Sequence, residues 1–158
     1  MHGRTGYPRT VYLKPHHPPA DSTGARRLIA LGLNHQTASI DLRARVAISS
    51  EHLPQALDSL LKRDGVLEAT VISTCNRTEV YCCVEAGAEA VPAEWLAAQH
   101  QIGLASLRGN LYQHIDGAAA RHLFRVATGL DSLVLGEPQI LGQVKDAWQS
   151  SRNAGAVK

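Results

Sequence analysis

Long apolar runs are missing from this chain of 158 residues: the longest is the six residues from Leu28 to Leu33, far short of the roughly 20 that a membrane-spanning helix needs. A transmembrane protein is therefore excluded, and the N-terminus has no uninterrupted apolar stretch of the kind a secretory leader carries. Cysteine is scarce as well. Cys75, Cys82 and Cys83 make no disulfide framework, and no C-x-x-C pair occurs. Adjacent cysteines on a strand point to opposite faces, so neither a disulfide nor a metal site is expected. Neither G-x-G-x-x-G nor G-x-x-x-x-G-K-[ST] is present, which argues against a dinucleotide or nucleoside-triphosphate site. Only seven aromatic residues are available, little surface for stacking nucleic-acid bases. A reducing, cytoplasmic setting fits this usage.

What is present suits one compact domain, with 44% hydrophobic and 19% charged residues. The net charge of +2 is unevenly placed: five of the 16 basic residues but one of the 14 acidic ones lie in residues 1–27. Four of the seven prolines and three of the eight histidines also fall there, with almost nothing to bury. Residues 1–26 are expected to be a disordered basic extension, residues 27–137 an α+β domain, and residues 138–158 the start of a long helix.

Periodicity orders the rest as β-α-α-β-β-α-β-α-α. The apolar run 28–33 reads as a buried strand ending at Asn34, His35, Gln36 and Thr37. A helix is expected over residues 40–48. A second follows, with Ser50 as its N-cap, Pro54 in its first turn, Leu53, Leu57, Leu60 and Leu61 on one face, and Gly65 beyond its end. Residues 66–74 and 79–85 are rich in β-branched and aromatic side chains and read as paired strands joined by a loop holding Cys75, Asn76 and Arg77. A helix near 95–101 and a strand at 111–115 come next. The helix opened by Asp116 and Gly117 is expected to bury Leu123, Val126, Ala127 and Leu130. The last, opened by Pro138, is expected to bury Ile140, Leu141, Val144 and Trp148 and to continue toward Lys158. At least one antiparallel pair predicts a small mixed or antiparallel sheet packed with helices.

Chemistry concentrates at Cys75. Cys82 and Cys83 lie within an apolar strand, where cysteine acts as a small hydrophobe. Cys75 stands at a strand end beside Thr74, Asn76 and Arg77, a polar and cationic setting that favours the nucleophilic thiolate. His35 and His122 are candidate helpers. An unreactive loop cysteine and ordinary histidines are the bland alternatives.

Three strings then bear on family. They are Gly32-Leu33-Asn34-His35-Gln36-Thr37-Ala38; Ser73-Thr74-Cys75-Asn76-Arg77-Thr78-Glu79-Val80-Tyr81; and the long, highly specific stretch from Gly129 through Asp131, Ser132, Gly136, Glu137, Pro138 and Gln139 to Gln143, Val144 and Lys145. Together they make the sequence from about Leu28 onward resemble the N-terminal catalytic domain of glutamyl-tRNA reductases. The resemblance implies an NADP-dependent oxidoreductase that reduces glutamyl-tRNA to glutamate-1-semialdehyde, on the way to 5-aminolevulinate, tetrapyrroles (porphyrins) and haem. It makes Cys75 the nucleophile that takes the glutamyl group as a thioester, which a hydride then reduces, and His122 a residue important for activity. Thr74, Asn76, Arg77, Ser132, Glu137, Pro138, Gln139 and Gln143 match substrate-contacting positions, with Arg77 suited to gripping a carboxylate. His35 falls in the first string without an assigned role.

By the same resemblance, NADPH is bound and a homodimer formed by later domains, and the aminomutase that consumes the product is a partner. This sequence is expected to be a fragment without those domains, limited to forming the thioester and losing it to water. Two rivals stand: a Cys75–His122 hydrolase or acyltransferase needing no tRNA, and a non-catalytic tRNA-binding module.

Overall fold

Alternation along the strands decides the layering. In β1 (Arg26–Asn34), Ile29, Leu31 and Leu33 face one way and Ala30, Gly32 and Asn34 the other. A computed structural model, which describes residues 24–158, arranges β1, β2 (Val66–Ser73), β3 (Arg77–Glu85) and β4 (Tyr112–Ile115) in the order β2-β3-β1-β4, every neighbouring pair antiparallel. The register places Ile29 opposite Cys82 and Leu31 opposite Val80, so the apolar sets of β1 and β3 share one face. That face builds the larger core with Val46 of α1 (Ile40–Val46), Leu57 and Leu60 of α2 (Leu53–Leu61), Trp95 and Leu96 of α3 (Val91–Gln99), and Leu107 of α4 (Leu104–Arg108). On the opposite face Ala30, Ile72 and Tyr81 pack with Ala119 of α5 (Gly117–Ala127) and Ala147 of α6 (Gln139–Asn153). This is the α+β arrangement expected from the sequence, with a fully antiparallel sheet.

Several boundaries differ, each for a local reason. Ser50 does not cap α2: the helix starts after His52, and the Ser49 carbonyl accepts the backbone N–H groups of His52 and Leu53, both at 3.0 Å. The side-chain cap belongs to α1, where Ser39 Oγ accepts the Leu42 N–H at 3.2 Å. Helix α4, only five residues long, was not expected, because little more than one turn leaves no readable period. Helix α5 stops at Ala127 and Gly129 turns with φ +74°, so Leu130 leaves the expected stripe and is 52% exposed; Val126 is buried as expected, joined by Ala119 and His122.

Helix α6 meets β2 through small residues, while Val144 packs partly buried against the same cluster. Ile140, Ala147 and Ser151 are buried, while Leu141 and Trp148 stay about half exposed. Thr70 Oγ1 donates to the Ala147 carbonyl at 3.3 Å and receives the Ser151 hydroxyl at 2.6 Å, so small polar groups make the seam. The expected continuation toward Lys158 ends at Asn153. Gly155 turns with φ +68°, and the Ala156 carbonyl accepts the Ala69 N–H on edge strand β2 at 2.9 Å. The expected extension over 1–26 lies almost wholly outside the described residues, and no helix among those described is long and apolar enough to cross a membrane.

Candidate active site

The β2–β3 hairpin presents Cys75 at its tip, exposed, between Thr74 and Asn76. Its backbone is clamped. Thr74 N–H donates to the Arg77 carbonyl at 2.8 Å, and Thr74 Oγ1 accepts the N–H groups of Asn76 and Arg77 at 3.1 and 3.2 Å. From α1, Arg43 Nη1 donates to the Cys75 carbonyl at 3.3 Å and to Asn76 Oδ1 at 3.2 Å. Thr74 and Asn76 thus shape the loop that holds the thiol, and Arg43 brings a guanidinium to it. The other cysteines behave as packing residues: Cys82 is buried, and desolvation, with a smaller contribution from Cys83, pushes its thiol pKa up.

Beneath the tip, on the sheet face covered by α5 and α6, the alternation of β3 brings Arg77, Glu79 and Tyr81 to one side. The three form the spine of a buried polar network. Arg77 is 2% exposed; its Nη1 donates to Glu79 Oε1 and to Asp131 Oδ2, both at 3.0 Å, and its Nη2 to the Asp131 carbonyl at 2.6 Å. Glu79, 1% exposed, also accepts the Tyr81 hydroxyl at 2.6 Å, His122 Nε2–H at 2.8 Å and the Tyr112 hydroxyl. Burial alone would raise the Glu79 pKa. The hydrogen bond and charge of His122, with Arg77 and Tyr112, override it and hold the carboxyl down at about 2. The phenols of Tyr81 and Tyr112 move up, first through desolvation and then through the Glu79 charge. Burial opposes the Arg77 charge, yet Glu79, Tyr112 and Asp131 raise its pKa above the ordinary value.

Gly32 makes this packing possible. A Cβ there would lie 2.7 Å from Glu79 Cγ and 2.6 Å from the Thr78 carbonyl oxygen. Glu79, His122 and Asp131 bring ligand atoms within 4.8 Å of one another, as a metal site would. Arg77 already lies between the two carboxylates, so a guanidinium is the cation of this cluster.

The structure therefore separates residues that the sequence grouped. His122 is held by Glu79 and stacks on His114 at 4.6 Å between ring centroids, and no hydrogen bond joins it to Cys75, so the geometry contains no Cys75–His122 dyad. Arg77 is buried with both terminal nitrogens bonded, so in this arrangement it is turned to its own carboxylates rather than presented to a ligand. The loop after α5 folds back on itself, Gly136 N–H donating to the Gly129 carbonyl at 3.0 Å, and Asp131 anchors it to Arg77. Ser132 follows directly and is half-buried, as is Glu137, whereas Pro138, Gln139 and Gln143 are exposed at the start of α6. Among the described residues, no hydrogen bond links these five to the Cys75 loop.

His35 follows Asn34, the register partner of Arg77. Its Nδ1 is buried without a partner, and its pKa is lowered by burial and by the charges of Arg77 and Arg43, partly offset by Asp131.

Sequence reasoning missed Glu79, Tyr112 and Asp131 as site residues, and Arg43 as the clamp. For Glu79 the signal was present: acid and base two apart on a strand whose alternate residues are apolar lie together on one face. Nothing local marks Arg43.

On the other side of the hairpin, an open cleft of about 660 Å³ has Cys75 and Thr74 on its wall, together with Ala47, Ile48, His52, Gln55, Gln99 and His100.

Comparison with known proteins bears on this geometry. Residues 31–158 match the family model described as glutamyl-tRNA(Glu) reductase, N-terminal domain. A glutamyl-tRNA reductase of Stenotrophomonas maltophilia is 57% identical over 130 residues, covering 82% of this chain and 29% of the relative. One from Photobacterium profundum is 52% identical over the same share of this chain and 31% of its own length. The solved structure of the glutamyl-tRNA reductase from Methanopyrus kandleri superimposes with a TM-score of 0.67 at 27% identity, covering 83% of this chain and 29% of that one. The chain thus spans less than a third of the length of these relatives.

Proposed function

Because the chain belongs to the glutamyl-tRNA reductase N-terminal domain family, we propose that it carries the acyl-accepting site of such an enzyme and acts on glutamyl-tRNA in the cytoplasm, at the entry to 5-aminolevulinate and tetrapyrrole synthesis. The Cys75 thiolate attacks the ester carbonyl that joins glutamate to the tRNA 3′ end. The new S–C bond forms as the C–O ester bond breaks, and the departing oxygen takes a proton to become the ribose hydroxyl. Glutamate remains on Cys75 as a thioester, a better hydride acceptor than an oxygen ester and one from which sulfur leaves readily. The single observation that carries this reading is the exposed Cys75, clamped at a hairpin tip over the buried Arg77–Glu79–Asp131–His122 network.

Roles for the neighbouring residues follow from where they sit. Thr74, Asn76 and Arg43 fix the tip so that Sγ projects toward the ester. Arg77 accepts the glutamate side-chain carboxylate by exchanging Asp131 for it, which couples substrate entry to the segment bearing Ser132, Glu137, Pro138, Gln139 and Gln143. His122 is a positioning residue, its ring fixed by Glu79.

The family's reductant, NADPH, supplies a hydride that converts a thioester to an aldehyde. The residues described here do not fit it: the sheet has no parallel pair with a helical crossover, and no glycine-rich turn joins a strand to a helix. Reduction, homodimer formation and hand-over of the product to an aminomutase are assigned to the remainder of the longer relatives.

A single-turnover incubation of the chain with labelled glutamyl-tRNA, without reductant and quenched in acid, tests the reading. Hydroxylamine-labile label on the wild-type protein and none on Cys75→Ser is expected. A folded wild-type chain that takes no label overturns it.

A further inference from the structure

We propose that the cleft beside Cys75 receives the terminal adenosine of the acylated tRNA, an inference that rests on the acyl-transfer reading. An ester carbonyl at Sγ carries two groups, the glutamyl chain and the 3′-terminal nucleoside, and they must leave the sulfur in different directions. The sheet face below Cys75 is filled by Arg77, Glu79, Tyr81 and His122, all buried. Open volume lies on the other side of the hairpin, where the turn between α1 and α2 and the C-terminal end of α3 wall a space of about 660 Å³. That is within the roughly 300–1,000 Å³ of small-ligand pockets, and larger than a glutamyl side chain needs.

The lining suits a purine. Ala47 and Ile48 give an apolar wall, while His52 and His100 offer planar rings of the kind on which unstacked bases lie. The His52 ring is steadied by the Ser49 hydroxyl, 2.7 Å from Nδ1. Gln55 and Gln99 bring carboxamides, which pair with the adjacent donor and acceptor of an adenine edge. The Gln99 oxygen accepts from Ser59 at 3.3 Å, so its amide nitrogen is the end left to donate. The His100 ring is held in place as well, its Nε2 buried and the Arg45 backbone within hydrogen-bonding reach of the imidazole. None of these side chains takes part in the Arg77 network.

The test follows alkylation of Cys75 by iodoacetamide in the whole 158-residue chain, read at the Cys75 peptide by mass spectrometry, with millimolar adenosine, with cytidine, and with neither. Adenosine is expected to slow alkylation several-fold and cytidine not to. The protection should vanish in a Gln55→Ala, Gln99→Ala double variant, each protein being compared with itself without nucleoside. In the single-turnover reaction the same variant should need roughly tenfold or more glutamyl-tRNA for half-saturation, as the loss of two net hydrogen bonds implies. No slowing by adenosine, equal slowing by cytidine, or protection that survives the double substitution overturns the nucleoside site. Thioester formation without adenosine protection overturns the site alone. Protection without thioester formation keeps the site and overturns the acyl-transfer reading.

Discussion

Replacing Glu79 by Gln isolates one quantity, the negative charge at the centre of the buried network. Oε1 accepts from Arg77, Tyr112 and His122, and Oε2 only from the Tyr81 hydroxyl. A carboxamide can therefore keep its oxygen on the three-donor side and turn its nitrogen toward Tyr81, whose hydroxyl rotates to accept. Shape and most hydrogen bonds survive, and the charge facing Arg77 does not. The drop of the Glu79 pKa from the ordinary 4.5 to about 2 corresponds to about 3 kcal/mol of folding free energy. This agrees with the roughly 3–5 kcal/mol lost when one member of a buried ion pair is removed. The sign is fixed by the direction: a carboxyl held low in the folded state stabilises the protein above pH 4.5, and that stabilisation is lost as pH falls toward 2. Urea unfolding of wild type and Glu79→Gln at pH 7 should thus differ by about 3 kcal/mol, a midpoint change on the order of 1–2 M for a domain this size. The difference should shrink steadily below about pH 5. A gap that is absent at pH 7, or that stays constant down to pH 3, refutes the charge argument and reduces Glu79 to a packing residue.

Other expectations follow from the same geometry. Gly32→Ala drives a methyl into the Glu79 stem and the Thr78 carbonyl and should cost about 1–3 kcal/mol in thermal or urea unfolding, whereas Gly142→Ala, with open space around it, should not. On α6, Ala147→Leu should destabilise more than Trp148→Ala, because the small residue touches β2 and the large one faces solvent; the opposite order in urea midpoints would contradict the packing described. Asp131→Ala removes one of the two carboxylate acceptors of Arg77 Nη1 and should slow Cys75 acylation more than tenfold if the loop must present Ser132 and Glu137, while leaving Cys75 alkylation by iodoacetamide within about twofold. Acceleration of acylation by this substitution would mean that Asp131 only blocks the guanidinium.

Large parts of this molecule were legible without coordinates, and the boundary between legible and hidden is physical. Helix α2 announced itself through four leucines at helical spacing, with a proline in its first turn and a glycine beyond its end, and the β2–β3 hairpin through β-branched runs around Cys75, because both signals are local. The buried face of α6 was read only in part: Ile140 is buried and Val144 packs partly buried as expected, but Leu141 and Trp148 do not. Periodicity ranks side chains by hydrophobicity, but this helix docks by closeness, and closeness selects Ala147 and Ser151 over Leu141 and Trp148. Arg43 was invisible because its bonds reach 32 and 33 residues along the chain, to Cys75 and Asn76. Asp131 was read only as part of a string, and its partner, Arg77, lies 54 residues away.

Arg77 brings these strands of argument together. The family resemblance implies that it binds a substrate carboxylate, and its position makes it the cation of a buried network with two carboxylates already in place. Both hold if the network is a balanced charge relay of one guanidinium between a permanent partner and an exchangeable one. Glu79 is the permanent member: it sits on the same strand two residues away, takes four donors and cannot leave without unfolding the sheet face. In the proposed mechanism Asp131 is the exchangeable member, carried by a loop whose neighbours Leu133, Val134 and Leu135 are largely exposed. A substrate carboxylate entering at Asp131 would keep the charge on Arg77 matched throughout, so that desolvating the guanidinium, the costly part of building such a site, is already accomplished in the folded chain before substrate arrives.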